Sequence, residues 1–254
     1  MDLRLIRSAT LRLAYAGQEI LIDPYLAPRH SRSSYTGKSL NPLVELPIPP
    51  DEVVGGAELV IVSHLHSDHF DPLAWELLPK TVPLLCQPGD EDTLRALGFT
   101  RVTTLDSEVT WEDTTLTRIA GEHGSGAVLA AMGSAMGFVL RAAGEPTIYW
   151  AGDTVLIPAV KDAIAQYRPD VIVTHSCGAV WERETLIVMD ATQTVAVCQA
   201  APWATVVATH METLDHATVS RAELRRAARA AGIADERLRI PRDGETLTFH
   251  RYDR

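Results

Sequence analysis

Four ligand-type side chains fall within six residues of this chain: His64, His66, Asp68 and His69, in the run His64-Leu65-His66-Ser67-Asp68-His69. Imidazoles suit borderline cations such as zinc, while a carboxylate adds negative charge and accepts harder ions such as manganese or iron. Crowding of this kind fits half of a site for two metal ions. A histidine-rich surface loop is the plain alternative, but a tract made only by composition would bring no partners from elsewhere in the chain. Here such partners are found.

The elements that must position these residues can be read on either side of them. The apolar, β-branched run Glu58-Leu59-Val60-Ile61-Val62 reads as a buried strand. Alternate side chains of extended backbone share a face, so His64 and His66 can hold one ion together. Asp71-Pro72 then supplies an N-cap and a proline at the first helical position of a helix through Leu73, Trp75, Leu77 and Leu78. The intervening bend turns Asp68 and His69 toward a second ion. Four more strand-like runs end at a candidate: 114–120 before His123, 147–150 before Asp153, 171–174 before His175, and 205–209 before His210. In layered α/β proteins, sites form where loops leave the ends of strands.

This order of motifs, H-x-H-x-D-H, a later His, a Gly-Asp-Thr at 152–154 and a final His, resembles that of the metallo-β-lactamase-fold hydrolases over nearly the whole chain. The resemblance implies an α/β fold: a four-layer αβ/βα sandwich of two mixed β-sheets with helices outside, formed as one domain over residues 1–254. It places His64, His66 and His123 on one metal ion and Asp68, His69 and His210 on the other, with Asp153 bridging them. Two divalent ions are therefore expected, zinc first, with manganese or iron as alternatives. Such a pair activates water at neutral pH and polarises the bond under attack.

Within that superfamily, Ile22-Asp23-Pro24 and Tyr149-Trp150-Ala151-Gly152-Asp153-Thr154 resemble the branch that contains ascorbate-6-phosphate lactonase. Zinc β-lactamases of the commonest type carry Cys where this chain has Asp153, so antibiotic hydrolysis is not expected. The expected substrate is a small ester, lactone or phosphoester metabolite, with an anionic one allowed. Asp68 and Asp153 would orient the attacking water, and His216, in Thr213-Leu214-Asp215-His216, would protonate the leaving group or hold an anion. His175 is a further catalytic candidate, against a structural role at a strand end. Two other functions compete: a persulfide dioxygenase with one iron, and a metal-binding protein without catalysis.

Two patterns bear on the architecture. Residues 11–23 are echoed by residues 138–153, two strands about a glycine turn ending in an Asp each time. The echo puts Asp23 near the site as a hydrogen-bond partner of a ligand histidine, although a simple Asp-Pro turn would look the same. Residues 27–57 are the least regular stretch, and loops of such length in compact domains are usually lids or binding loops. This one is expected to cover the cavity and shape substrate choice.

Composition narrows the class further. A chain of 254 residues with 46% hydrophobic side chains can bury a large core without disulfides. The formal charge of -10 and the lack of a basic cluster near the motifs argue against a nucleic-acid partner. Arg221, Arg225, Arg226 and Arg229 follow a Ser220-x-x-Glu223 capping box and precede Gly232, which reads as a solvated helix face. No run approaches the roughly 20 apolar residues of a membrane span, and Met1-Asp2-Leu3-Arg4 lacks a signal-peptide core, so a cytoplasmic protein without a membrane partner is expected. Cys86, Cys177 and Cys198 are expected as reduced, buried thiols. The superfamily resemblance also suggests self-association into a homo-oligomer.

Overall fold

Short runs dense in Leu, Ile and Val are too short for ordinary helices and apolar on both faces, the pattern of strands covered on two sides. In the computed structural model, which describes residues 1–182 and 184–250, these runs form two sheets. The chain opens with β1 (Asp2–Arg7), β2 (Thr10–Tyr15) and β3 (Gln18–Ile22). It then alternates helix and strand: α1 (Pro50–Val54), β4 (Leu59–Val62), α2 (Pro72–Leu77), β5 (Leu84–Cys86), α3 (Glu91–Ala96) and β6 (Val102–Thr104).

The second half begins with β7 (Glu108–Trp111), β8 (Thr114–Gly121), α4 (Gly126–Met132), β9 (Ala135–Arg141) and β10 (Ile148–Trp150). It continues with α5 (Pro158–Tyr167), β11 (Val171–His175), the small hairpin β12 (Val180–Trp181) and β13 (Thr185–Leu186), α6 (Ala191–Ala200) and β14 (Thr205–Thr209). Last come α7 (Arg221–Ala230), β15 (Leu238–Arg239) and β16 (Thr246–Thr248), which returns to pair with β1.

The sheet orders are β16-β1-β2-β3-β4-β5-β6 and β7-β8-β9-β10-β11-β14-β15. Followed in those directions, each sheet makes three antiparallel pairings and then three parallel ones. The echo between residues 11–23 and 138–153 is thus one segment of a correspondence that spans seven strands. It equates β3 with β10, β4 with β11 and β5 with β14.

The hydrophobic clusters confirm the four layers. Leu5, Leu13 and Ile61 of one sheet meet Leu116, Phe138 and Val173 of the other in an interior cluster. A second cluster fills the space between the β8–β15 sheet and α5, α6 and α7, and a third lies between the other sheet and α1, α2 and α3. Across the interior, the Tyr15 hydroxyl donates to the Pro146 carbonyl at 3.0 Å, and within the second sheet Phe138 stacks on its neighbour Trp150 with centroids 4.9 Å apart. Because β8 and β10 run the same way, their ends, with those of β11 and β14, open on one rim. The ends of β3 and β4 face the same rim from the other sheet.

Local signals read from sequence recur as contacts. Asp71 caps α2 by accepting the Ala74 N–H at 3.1 Å, and the Ser220/Glu223 capping box opens α7. The arginines of α7 pair with acids: Arg221 with Glu212 and Asp243, Arg225 and Arg229 with Asp235. All three cysteines are free and buried. Among the described residues, no helix is long and apolar enough to cross a membrane.

The long loop departs from expectation at its end. It is irregular through Pro49, apart from a bridge between Arg32 and Asn41, but residues 50–54 are helical. Pro50 at the first helical position and Asp51 and Glu52 in the first turn favour a helix start there. Two charged groups pin the loop. Arg7, fully buried, donates to the carbonyls of Tyr25, Ala27 and Val44. Asp215 accepts from the Ser34 and Thr36 hydroxyls, the Tyr35 and Thr36 N–H groups and the Asn41 side chain. Burial opposes ionisation of Asp215, but those donors hold its carboxyl well below the usual carboxylate range. Asp215→Ala would free the loop without touching either sheet. Limited trypsinolysis after exposed Lys38 should accelerate about tenfold while thermal unfolding of the remainder changes little.

Candidate metal centre

Where β4 ends, the chain places its ligands through partners that fix each imidazole. The Ser63 hydroxyl and N–H donate to Asp23, at 2.7 and 2.8 Å. That leaves the same hydroxyl to accept from Nδ1–H of His64, 2.9 Å away. His69 and Phe70 both direct their N–H groups to the His66 carbonyl at 3.0 Å, which closes the bend after His66. His69 Nδ1–H donates to Asp23 at 2.8 Å, His123 Nδ1–H to the Ile187 carbonyl at 2.8 Å, and His210 Nδ1 meets the Cys177 sulfur at 3.6 Å. The contacts of His64, His69 and His123 put a proton on Nδ1, and all four contacts orient the rings with Nε2 inward.

The ligand-type atoms form two groups. His64, His66 and His123 bring ligand atoms within 4.8 Å of one another, as do His69, Asp153, His175 and His210. Asp68 adds a carboxylate oxygen 3.4 Å from His210 Nε2 and 3.8 Å from His69 Nε2. Asp153 joins the groups, with one oxygen 3.1 Å from His69 Nε2 and 3.4 Å from His123 Nε2. His64 Nε2 is buried without a hydrogen-bond partner. Three facing imidazoles with such an orphaned atom, beside a carboxylate-rich second group, are a donor set suited to divalent cations.

Gly152 makes the Asp153 position reachable. It has φ +71°, and a Cβ there would lie 2.6 Å from the Trp150 ring and 2.8 Å from the Met136 carbonyl. The corresponding strand β3 runs straight into Asp23, itself at φ 45°, so the two halves deliver their carboxylates by different turns.

Charges in the centre are tightly coupled. Burial, then His69 and His66, push His64 well below the ordinary imidazole value, so it is neutral. Burial also opposes protonation of His69, but Asp153, Asp23 and Asp68 outweigh it and push its pKa up to about 10. Burial would raise Asp68 and Asp153, yet the neighbouring histidines hold both well below the usual carboxylate range. His175 is pushed down to about 4, chiefly by burial, and donates Nδ1–H to Asp153 at 2.5 Å.

The centre opens on a cavity of about 160 Å³. His66, Asp68, His123 and Asp153 form its floor, while Tyr35, Ser67, Met132, Trp181, Ile187 and His216 form its walls. All seven residues expected as ligands therefore come together, and His216 faces the same space. His175 does not: fully buried, it touches Asp153 from behind. Asp23 likewise stands behind His69. Tyr35, Met132, Trp181 and Ile187 lie on irregular or short elements without a diagnostic period, so the sequence does not mark them.

Residues 18–211 match a family model described as a beta-lactamase superfamily domain. The chain belongs to this family. It is 36% identical over 257 residues to the UPF0173 protein YddR of Bacillus subtilis, a match covering 98% of this chain and 100% of the relative. The UPF0173 metal-dependent hydrolase of Azorhizobium caulinodans is 25% identical over 183 residues, 68% of this chain and 72% of that one. Among solved structures, isothiocyanate hydrolase from Delia radicum gut bacteria is similar with a TM-score of 0.92 and 34% identity, over 99% of this chain and 100% of the other. The chain is thus an enzyme of the UPF0173 metal-dependent hydrolase family within the beta-lactamase superfamily. The matched segment contains every residue of both ligand groups.

In this hydrolase the buried Asp23 orients His69 without facing the cavity. Asp23→Asn should weaken metal binding by about 10- to 100-fold while circular dichroism stays native, as a competition titration with a chromogenic chelator would read. Gly152→Ala should cost at least ~2 kcal/mol in denaturant unfolding, from crowding and a disfavoured φ.

Proposed function

We propose that the enzyme is a dinuclear hydrolase acting on a small electrophile with an apolar body. The observation that carries this reading is the Asp153 carboxylate lying between two ligand groups at the floor of one cavity. In this assignment His64, His66 and His123 would hold one cation and Asp68, His69 and His210 the other, with Asp153 placed to serve both. When bound, the ions supply Lewis acidity, making water nucleophilic at neutral pH and polarising the bond it attacks.

The chain's own residues do the rest. Asp68 and Asp153 offset the cationic charge and orient the attacking water by accepting its hydrogen bonds. His175, pressed on the outer oxygen of Asp153, fixes that carboxylate's rotation and so acts as a positioning residue. His216 lines the cavity, and we assign to it the transfer of a proton to the departing atom.

Substrate size and polarity follow from the walls. The cavity is smaller than the ~300–1,000 Å³ typical of sites for drug-sized ligands. Met132, Trp181 and Ile187 give it an apolar side, and the described residues lining it include no Lys or Arg. A small neutral ester, lactone or isothiocyanate fits better than a phosphoester. The 34% identity over nearly the whole chain to an isothiocyanate hydrolase supports testing that class first, and the resemblance of Ile22-Asp23-Pro24 and Tyr149-Trp150-Ala151-Gly152-Asp153-Thr154 to the lactonase branch keeps lactones beside it. The one-iron persulfide dioxygenase and the non-catalytic reading gain nothing from relatives that are named hydrolases.

Zinc- and manganese-loaded enzyme should turn over at least one of phenethyl isothiocyanate, 4-nitrophenyl acetate and γ-butyrolactone. Activity should vanish after dialysis against a chelator and return with the metal. Turnover of none of them, or activity untouched by complete metal removal, would overturn the proposal.

A further inference from the structure

Two polar groups lining the cavity belong to neither ligand group nor to the expected proton path, the Ser67 hydroxyl and the phenol of Tyr35, and it is the phenol that also reaches a ligand carboxylate. Its loop has no regular structure nearby, yet the side chain is firmly placed. Asp215 grips the backbone and hydroxyl groups of residues 34–36. The Tyr35 ring stands edge-on to His216, centroids 4.8 Å apart, and to Trp181 at 6.2 Å. The hydroxyl reaches Asp68 Oδ1 at 3.3 Å and Ser67 Oγ at 3.2 Å. Asp68 turns its other oxygen, Oδ2, toward His69 and His210. The phenol therefore sits where the second ligand group meets the cavity.

Both contacts are longer than the usual ~2.7–2.8 Å of an O–H···O bond. A catalytic donor often shows such loose contacts before its acceptor arrives. With no Lys or Arg among the described lining residues, the walls offer few groups to a developing negative charge, and Tyr35 combines a strong neutral donor with a fixed ring.

We propose that Tyr35 is a catalytic residue whose O–H donates to the substrate atom on which negative charge gathers. The inference rests on the hydrolytic reading. In the step, the oxygen of hydroxide bonds to the carbonyl or isothiocyanate carbon, and the π pair moves onto the O, N or S of that group. Tyr35 hydrogen-bonds that atom and keeps its own proton. The competing role is a prop for Asp68, in which case the phenol serves the metal and not the substrate.

Tyr35→Phe separates the two, because it removes the hydroxyl and keeps the ring against His216. The readouts are zinc affinity, binding of phenylboronic acid to zinc-loaded protein by calorimetry, and kinetics on phenethyl isothiocyanate and 4-nitrophenyl acetate. Phenylboronic acid takes up hydroxide to form a tetrahedral anion, so it probes the charged adduct without turnover. The variant should keep zinc affinity within about twofold, bind the boronate at least ~10-fold more weakly, and lose about 10²-fold in kcat with little change in KM. Weakened zinc binding, or equal boronate affinity in the two proteins, including binding by neither, would overturn the assignment. Failure of wild-type enzyme on every substrate would instead sink the hydrolytic reading, while the boronate comparison would still decide Tyr35.

Discussion

The His69 imidazole is held at both nitrogens by carboxylates, Asp23 at Nδ1 at 2.8 Å and Asp153 at Nε2 at 3.1 Å. One carboxylate follows β3 and the other follows β10, equivalent strands of the two sheets. The clamp therefore ties the two halves of the molecule together at the one place where neither half can supply a complete site. His210 adds a backbone link of the same kind, its N–H donating to the Ser8 carbonyl at 2.8 Å across the sheets. The chemistry is built on the seam between the sheets, with the interior apolar cluster directly beneath it.

Such a seam is expensive to leave incomplete. Asp23 and His69 are fully buried and Asp68 and Asp153 nearly so, and an uncompensated buried ion costs several kcal/mol. Hydrogen bonds from Ser63, His69 and His175 offset part of that, and bound cations would offset more. The same carboxylates that hold His69 protonated without metal are those that would draw a divalent ion in its place. Rigid partners such as the Ile187 carbonyl behind His123 mean that little needs to move when the ion binds.

Much of this arrangement was legible in the sequence because metal ligands concentrate at the ends of strands. Leu59–Val62 announces a strand by composition, Asp71-Pro72 announces a helix start, and the histidines between them fall in a short bend. Asp23 was legible only through the echo of residues 11–23 in 138–153, which proved to be part of a repeat in strand order. Other features were not. Tyr35 reaches the cavity from an irregular loop whose anchor, Asp215, is 180 residues away in the chain, and no periodicity encodes such a contact. The α1 helix inside the same loop was masked by its prolines, which mark turns as readily as helix starts. His175 looked like a candidate for direct catalysis, but as the last residue of β11 it is sealed behind Asp153. Cys177 gave no sign that its sulfur would back His210, since one thiol near one histidine is common in any core.

The proposed chemistry requires two cations held by one continuous ligand set that spans both halves. Elemental mass spectrometry of protein purified without added metal or chelator tests this most directly. About two divalent ions per chain, zinc or manganese, lost together on chelation, are the expected result. A single iron per chain that survives with the second group empty would contradict it.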